Sequence, residues 1–419
     1  MQLGQALQGP TFRRFFAAKM TMITGDAVLL LALTWASLAA DGSGATLGWM
    51  WAAFMAAQAL FALGGGLIVD RFSRRHILMF SALAEATVAA TIAVIAAVGA
   101  LSTGVIIVAA LAFGAAQAVV MPAVAALLPE TVFEPDIRSA TSLYQVARQG
   151  AFVVGPVIAG LLLRTTPGVV ATFAFVTVMF AAAAVQLLAL PKLPRQTPLE
   201  VAQALSWRQA HEALGYVRRR PWLWGTILTF GVFNALVAAP RLVVMPLLVE
   251  LVTQNGAALL GIVVATHAAG ASVGIALAGV WMPTRGRGQW AYGVTAFAAV
   301  ALAAASLSTH VFGLMLSMFA AGTGVAAFGL MWETTLTETI QPGYRGRVVS
   351  LDIIGSLAPL PFAAPLVGLM AVTWGPRVAL ALPALAGAAA LVMIIVLRPA
   401  THRFPLEPPI GPARPPEID

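Results

Sequence analysis

Long apolar stretches separated by short polar intervals recur along the whole chain. Each stretch has about 20 residues or more, which as an α-helix is long enough to cross roughly 30 Å of hydrocarbon. Continuous apolar runs of this kind exclude a transmembrane β-barrel, whose strands alternate apolar and polar residues. The pattern therefore predicts an all-α integral membrane protein with twelve transmembrane helices. The predicted spans are residues 13–40, 45–69, 76–99, 103–127, 139–163, 168–190, 222–250, 257–281, 289–308, 311–336, 347–372 and 377–397.

The composition agrees with a membrane protein and limits its chemistry. Of the 419 residues, 60% are hydrophobic and 10% are charged, and the mean hydropathy is +0.90, whereas soluble domains have about 25% charged residues. The chain has no cysteine, and its five histidines are widely scattered. The phosphate-binding sequence Gly-x-x-x-x-Gly-Lys-Ser/Thr is absent. The sequence therefore predicts a protein that is not an enzyme and has no catalytic residues, no metal site and no cofactor.

The placement of the basic residues predicts the orientation in the membrane. The formal net charge is +8, and nineteen of the 24 Lys and Arg residues fall in polar segments on one predicted side. Arg164 and Arg377 fall on the other side, and Lys19, Arg148 and Arg241 lie within spans. The positive-inside rule then predicts that both termini are cytoplasmic, so nucleic acid is not an expected partner. The first apolar stretch lacks a small-residue cleavage site, and we expect a retained helix there, not a signal peptide.

Polar intervals divide the predicted spans into two sets of six. The longest interval covers 191–221 and predicts a cytoplasmic linker between an N-terminal half at 1–190 and a C-terminal half at 222–398. A shift of 208 residues superposes Asp26 on Asn234 and Gly66 on Gly274, which favours two repeats related by an axis along the membrane normal. The proline-rich tail at 399–419 is predicted to be disordered.

The polar segment between spans two and three carries the most specific motif. It places Gly66 four residues before Asp70, with Arg74 and Arg75 four and five residues after the aspartate. In this motif the chain resembles the major facilitator superfamily, over essentially its whole length apart from the tail. The resemblance implies two pseudo-symmetric six-helix halves. It also implies a conformational latch, in which Asp70 faces the positive N-terminal end of span eleven near 345–348.

Span five contains a second motif, and other short sequences indicate a branch of the superfamily. Small residues around Gly155 and Pro156 resemble a motif associated with exporters and antiporters, although a packing seam is the alternative reading. The Gly25-Asp26 pair, the Leu128-Pro129-Glu130 ending of span four and the Arg345–Val348 sequence resemble the enterobactin-exporter and macrolide-efflux branch.

Ionisable side chains inside the spans are the candidates for substrate binding and proton coupling. Each costs roughly 2.5–3.5 kcal/mol to insert, so each needs a partner, an aqueous cavity or a function. Asp26 in span one and Asn234 at the equivalent point of span seven are the leading pair. Alternatively, Asp26 pairs with Lys19 or caps neighbouring backbone. The further candidates are Gln117, Glu85, His267 and Arg241, and for the last three a packing, pairing or interfacial role is the alternative.

Three more charged residues are candidates for a gate. Arg148 and Glu333 lie on helices that face each other from opposite halves in the resembled fold and could form an interdomain gate. Alternatively, Arg148 pairs with Glu85 or a loop carboxylate. Asp352 lies early in span eleven, at a depth where it could join the latch of Asp70.

Together these features predict a secondary active transporter in the bacterial inner membrane. We expect it to work as a monomer and to export a small amphipathic molecule, such as a drug, a siderophore or another metabolite, by proton antiport with alternating access. Its expected partners are the substrate, the proton and the lipid bilayer. A proton-coupled importer is the first alternative, and a non-transporting membrane receptor is an alternative of another class.

Overall fold

The computed structural model describes residues 6–191, 207–253, 256–283, 285–397 and 404. For residues 6, 41, 62–71, 134, 207–210, 342 and 343 it describes the backbone alone. The described chain is α-helical, with short 3₁₀ turns and one π turn. The helices are α1 Pro10–Asp41, α2 Gly44–Arg71, α3 Arg74–Ala97, α4 Thr103–Gln117, α5 Val120–Leu127, α6 Ile137–Leu163, α7 Gly168–Leu188, α8 Trp207–Arg218, α9 Pro221–Phe233, α10 Ala239–Thr253, α11 Ala257–Trp281, α12 Arg287–Ala304, α13 Val311–Thr339, α14 Pro342–Leu357, α15 Leu360–Trp374 and α16 Pro376–Leu397.

Eleven helical stretches of the described residues are long and apolar enough to cross a membrane. Three of them consist of two consecutive helices each, namely α4 with α5, α9 with α10, and α14 with α15. Helix α2, with 28 residues, coincides with the predicted span at 45–69. The chain is therefore an all-helical, multi-pass membrane protein, as the hydrophobic pattern predicts.

Prolines lie at or near the three points where a predicted span divides. Pro122 is in the first turn of α5, Pro359 lies between α14 and α15, and Pro240 lies just after the π turn Asn234–Ala238. Proline has no backbone N–H, and its ring clashes with the carbonyl of the preceding turn. At the π turn the amide of Ala239 donates to the carbonyl of Asn234, five residues back, which gives the extra room that the ring of Pro240 needs.

The helices pack in two groups that have the same pattern of neighbours. In the N-terminal group, α1–α7, helix α3 packs on α7 and α2 packs on α4. In the C-terminal group, α9–α16, the helices that correspond by the 208-residue shift pack in the same way, α12 on α16 and α11 on α13. The groups meet where α2 packs on α15 and α6 packs on α11, and these two junctions also correspond to each other by the shift.

Glycines allow the two groups to approach closely. A Cβ at Gly261 of α11 would overlap the carbonyl oxygen of Pro156 in α6. A Cβ at Gly48 of α2 would lie 2.6 Å from the carbonyl oxygen of Ala364 in α15. In both junctions the beginning of an even-numbered predicted span meets the end of an odd-numbered one. We call the side of the molecule where α1 begins and α16 ends the terminus side. Both junctions therefore lie on the opposite side of the molecule.

On the terminus side the two groups stand apart. Among the described residues, α5, α9 and α14, which lie on that side, make their extensive contacts only within their own group. Contacts on this side instead join helices of the same group. For example, the Arg14 guanidinium of α1 donates to the carbonyl oxygen of Ala189, after the end of α7, at 3.3 Å. The extensive contacts between the groups that the described residues make therefore lie at the two junctions.

Two elements lie in regions that the sequence predicts to be a linker and a disordered tail. Helix α8 occupies part of the predicted linker, and it packs on α14 of the C-terminal group. Phe404, in the predicted tail, is 7% exposed and packs against Trp222 and Trp332 with ring centroids 5.6 and 5.9 Å apart. The rest of the tail and residues 192–206 of the linker lie outside the described residues.

The substitution Gly261→Ala is expected to destabilise the junction between α6 and α11, because the new methyl group meets backbone that cannot move aside without shifting a helix. Overpacking of this kind costs about 1–3 kcal/mol. Thermal unfolding of the purified protein in detergent measures the loss. Gly279→Ala is the matched control on the same helix, since the nearest atom to its Cβ is Leu330 Cδ2 at 3.9 Å. An equal loss in both variants would contradict a role for the junction.

Candidate functional site

Four charged side chains of the N-terminal group come together at the centre of the helix packing. Lys19 and Asp26 lie on α1, Glu85 on α3 and Arg148 on α6. Lys19 is 2% exposed, Asp26 9% and Glu85 0%. Helix α1 carries two of the four because it is packed against both α6 and α7. The group contains two positive and two negative side chains, so the charges balance when all four are ionised. We call these residues the buried charge cluster.

Electrostatic interactions join the cluster without a close ion pair. Lys19 interacts with both Asp26 and Glu85, and Arg148 interacts with Asp26. Among the described residues, no ion pair with an N–O distance of 4.0 Å or less joins any of these four side chains to another. Arg148 instead stacks over the ring of Phe152 at 5.4 Å. The charges are thus close enough to influence one another, while no short ion pair fixes the arrangement.

Hydrogen bonds from α3 and α4 hold the two carboxylates. The amide Nε2 of Gln117 donates to Asp26 Oδ1 at 2.5 Å. Ser81 Oγ lies 3.2 Å from Glu85 Oε1 and 2.8 Å from the carbonyl oxygen of Ala116. The second oxygen of Glu85 is buried and has no hydrogen-bond partner among the residues that the structure describes. Because α4 ends at Gln117, the amide that reaches Asp26 comes from the break between α4 and α5.

Asp26 and Asn234, the leading predicted pair, each make a hydrogen bond within their own group. The side-chain amide of Asn234 donates to the carbonyl oxygen of Ser356 at 2.8 Å, near the end of α14. Among the described residues, no hydrogen bond joins Asn234 to Asp26, and each side chain is bonded within its own group. Lys19, which the sequence offers only as an alternative partner of Asp26, is a full member of the buried charge cluster.

A second, cationic site lies in the C-terminal group. Arg241 of α10 and His267 of α11 are both partly buried, and they are close enough to interact electrostatically. The sequence nominates these residues separately, and the packing of α10 on α11 brings them together. The candidate sites of the two groups therefore differ in charge. The N-terminal group has two acidic and two basic side chains, and the C-terminal group has an arginine and a histidine.

The residues predicted to form a gate make other contacts in the described part of the chain. Glu333 is exposed, and no ion pair joins it to Arg148 in the part of the chain that the structure describes. Asp352 accepts hydrogen bonds from Trp332 Nε1 at 2.8 Å and from Ser356 Oγ at 3.1 Å. Asp352 is thus bonded within the C-terminal group.

The latch motif is described in part. Arg74 forms an ion pair with Glu130, and Arg75 donates to the carbonyl oxygen of Leu190. These contacts tie the beginning of α3 to the segment after α5 and to the end of α7. Gly66 and Asp70 belong to the helical backbone of α2, but the side chain of Asp70 and its predicted contact with span eleven lie outside the described residues.

The span-five motif connects the buried charge cluster with the junction between the groups. A Cβ at Gly155 would lie 2.5 Å from Ala27 Cβ, next to Asp26 on α1, so α6 approaches α1 closely there. The adjacent Pro156 presents its carbonyl oxygen to Gly261 of the other group. A shift of α6 therefore affects both the cluster and the junction.

One sequence in α11 has the spacing of a hydrolase motif. Gly270, Ser272 and Gly274 fit Gly-x-Ser-x-Gly, which in hydrolases forms a sharp turn between a strand and a helix. Here the segment lies within a continuous helix, and Ser272 Oγ donates to the carbonyl oxygen of Ala268 at 3.1 Å. The two glycines instead pack against backbone of α13. The motif therefore has a packing role in this fold.

Comparisons with known proteins agree on the kind of protein. The profile of the Major Facilitator Superfamily matches residues 15–250. The multidrug efflux pump Tap of Mycobacterium tuberculosis is 32% identical over 192 residues, which are 43% of this chain and 45% of Tap, so the match spans about half of that relative. A mutant of the nucleoside transporter NupG has a TM-score of 0.76 at 12% identity, with 92% of this chain and 99% of that one covered. The D-xylose-proton symporter has a TM-score of 0.70 at 14% identity, with 93% and 98% covered.

Removal of the lysine from the buried charge cluster is expected to destabilise the protein. Lys19→Met leaves Asp26 and Glu85 facing each other with Arg148 as their nearest cation, and loss of one partner from a buried pair typically costs 3–5 kcal/mol. The double variant Lys19→Met/Glu85→Gln removes one charge of each sign and should recover a large part of that loss. Thermal unfolding in detergent measures both variants.

The control for this comparison is Glu338→Gln, which removes a carboxylate that is 50% exposed and pairs with Arg287. Exposed pairs contribute little, so this variant should unfold close to the wild-type temperature. A double variant that is no more stable than Lys19→Met would show that the lysine acts through packing alone.

Proposed function

Because the chain belongs to the Major Facilitator Superfamily, we propose that it is a secondary active transporter that exports a small amphipathic molecule in exchange for protons. The observation that carries the proposal is the buried charge cluster. Ionisable side chains inside membrane helices are expensive and tend to mark proton or substrate pathways. The buried charge cluster has no net charge when all four side chains are ionised. A proton added to Asp26 or Glu85 therefore leaves an excess positive charge in the cluster, which favours release of that proton or a rearrangement of the helices.

Asp26 is the proposed proton-coupling residue, with Glu85 as a second carboxylate of the same cluster. Asp26 has one hydrogen-bond donor, Gln117, and a lysine and an arginine within electrostatic range. A protonated carboxyl would give up part of its attraction to both cations. Protonation therefore changes the forces between α1 and α6, and α6 is in contact with the other group.

The proposed transport cycle is alternating access by two halves. We propose that α1–α7 and α9–α16 are the two pseudo-symmetric six-helix halves of a twelve-helix transporter, connected by the linker at 191–221. This count takes α2 as one of the twelve spans, and it takes α4 with α5, α9 with α10 and α14 with α15 as one span each. The repeated pattern of neighbours and the matching junctions support this arrangement. The contacts of the described residues support a conformation in which a cleft between the halves opens toward the terminus side. Closing that side and opening the junctions would expose the cleft to the opposite side.

Two sequence similarities support export as the direction of transport. Export is supported by the similarity to a multidrug efflux pump over 192 residues and by the exporter-like sequence around Gly155 and Pro156. The alternative is proton-coupled import, because the D-xylose-proton symporter has the same fold. Arg241 and His267 would interact with acidic or hydrogen-bonding groups of the substrate. We place both termini in the cytoplasm of a bacterial cell, with the transporter in its inner membrane as a monomer.

Everted membrane vesicles with an acidic interior test both the direction of transport and its coupling to protons. The wild type is expected to accumulate an amphipathic probe such as ethidium, taken as the first of a compound panel. Asp26→Asn should reduce gradient-driven accumulation at least tenfold, because the asparagine keeps the size of the side chain and cannot carry the proton. Glu338→Gln, at the exposed ion pair, should transport like the wild type.

Two outcomes of the vesicle experiment would contradict the proposal. Accumulation in right-side-out vesicles alone, across the panel, would favour the importer. Undiminished gradient-driven transport in Asp26→Asn would remove Asp26 from the coupling mechanism and leave Glu85 as the carboxylate to examine.

A disulfide across the junction of α2 and α15 is expected to stop transport. A Cβ at Gly44 would lie 3.0 Å from Ala371 Cβ, so a small separation of the two helices would bring this pair to the roughly 3.5–4.5 Å that a disulfide requires. The chain has no natural cysteine, so the pair Gly44→Cys/Ala371→Cys can be oxidised without background. Oxidation should abolish transport and reduction should restore it, since alternating access requires this junction to open.

The matched control is a pair within one group on the same side. Thr46→Cys/Thr103→Cys joins α2 to α4, where the two hydroxyl oxygens are 3.4 Å apart. Its oxidation should leave transport largely intact, because both helices belong to one rocking unit. Full transport by the oxidised Gly44→Cys/Ala371→Cys variant would contradict alternating access at this junction.

A further inference from the structure

Helix α8 holds a fixed position beside the membrane-spanning helices of the C-terminal group. Tyr216 stacks on Tyr344 of α14 with ring centroids 4.6 Å apart and planes inclined by 16°. Arg347 of α14 lies 3.9 Å from the carboxylate of Glu212. Arg220 stacks over Tyr216 at 3.6 Å and donates to its carbonyl oxygen at 3.2 Å. These contacts fix the line of α8 at the point where the chain enters α9.

The space between α8, α9 and α14 is an apolar groove with a charged mouth. It has a volume of about 490 Å³, which is within the usual range of ligand sites. Its lining is apolar, with Leu214 and Val217 from α8, Trp224 and Leu228 from α9 and Leu351 from α14, except for the guanidinium of Arg218. A polar, water-soluble ligand would find few partners in such a groove, whereas hydrocarbon would be well accommodated.

A second groove continues from the first toward the middle of the membrane. It lies between α9 and α16, has a volume of about 290 Å³ and is lined by apolar side chains such as Val232 and Ile394, with Thr229 among them. Leu228 lines both grooves and is 58% exposed. The side chain of Leu228 therefore separates the two grooves, which lie on the outer surface of the helix bundle.

The depth of these residues matches the layers of a lipid leaflet. Arg218 is three residues before α9 begins at Pro221, so it lies at the edge of the apolar region. Trp224, which is 38% exposed, follows one turn inside, where tryptophan is enriched at membrane interfaces. Leu228 and Val232 lie one and two turns deeper along α9. The order from the mouth inward is thus charge, interfacial aromatic and hydrocarbon.

The charge at the mouth selects the sign of the ligand. Arg218 and Arg219 are exposed, and among the described residues no carboxylate lies within 4.0 Å of either. Arg220 stacks on Tyr216 and donates to its carbonyl oxygen. Arg218 lines the groove and can therefore reach a ligand in it. We propose that the two grooves bind one anionic phospholipid of the terminus-side leaflet, with its phosphate on Arg218 and its two acyl chains on either side of Leu228.

This site is independent of the proposed transport cycle, although α14 forms one of its walls. That wall is formed by Leu351. The bound lipid would add a hydrophobic and electrostatic link between α8, α9 and α14. Basic pockets between membrane helices are a recognised way of holding anionic headgroups.

Native mass spectrometry of the purified full-length protein tests the site without a transport assay. The probes are dioleoylphosphatidylglycerol and the zwitterionic dioleoylphosphatidylcholine, each titrated in detergent. The wild type should retain one phosphatidylglycerol at a concentration at least fivefold lower than phosphatidylcholine. Arg218→Gln should weaken phosphatidylglycerol binding about fivefold, which is the usual effect of one basic residue near a membrane surface. Leu228→Trp, which fills the space shared by the grooves, should weaken both lipids.

Arg219→Gln is the matched control, because Arg219 is equally exposed and adjacent but does not line the groove. It should change phosphatidylglycerol binding less than twofold. Equal losses in Arg218→Gln and Arg219→Gln would indicate diffuse attraction and overturn the site. Displacement of the lipid by millimolar inorganic phosphate would indicate a site for a free anion. Undiminished binding in Leu228→Trp would place the lipid elsewhere, and equal retention of the two wild-type lipids would overturn the charge selectivity.

Discussion

The cost of placing charge inside a membrane is the constraint on which the N-terminal group depends. Lys19, Asp26, Glu85 and Arg148 are each unfavourable alone in hydrocarbon, and together they carry no net charge. Their mutual attraction requires α1, α3 and α6 to converge at one depth. The break between α4 and α5 adds the amide of Gln117 to the same place. Fold and candidate mechanism therefore have the same origin, because the residues that hold these helices together include the carboxylates proposed to exchange protons.

The C-terminal group solves the same packing problem with aromatic rings. Phe230 stacks on Phe328 with centroids 3.6 Å apart, Phe328 stacks on Trp332, and Trp332 in turn contacts Trp222 and Phe404. Aromatic contacts of this kind need no charge compensation and are not altered by a proton. The corresponding helices of the two groups thus have similar packing neighbours, while the N-terminal group has buried charges and the C-terminal group has stacked aromatic rings.

Glycine and proline determine where the two groups can move. The junctions at Gly48 and Gly261 bring backbone against backbone, so they can be closely packed or open but have little room between these states. Gly155 and Pro156 put the cluster and one junction on successive residues of α6. In the proposed cycle, a change in the charge of Asp26 on α1 would reach the junction through the close contact of α1 with α6.

The sequence by itself determined the elements and much of the chemistry, because both depend on local patterns. Apolar runs of 20 residues or more predict helices that cross a membrane, and the described residues contain eleven helical stretches long and apolar enough to do so. The Gly66 to Arg75 motif and the charges within the spans identified the family and nominated Asp26, Gln117, Glu85 and Arg148. Tertiary structure alone decided the partners. Asp26 is bonded to Gln117 and not to Asn234, Arg74 pairs with Glu130, and Arg241 lies near His267, although these residues are far apart in the chain. Such contacts depend on the relative rotation and depth of whole helices. Hydropathy is insensitive to both, because a span that is apolar all round can turn any of its faces toward a neighbour.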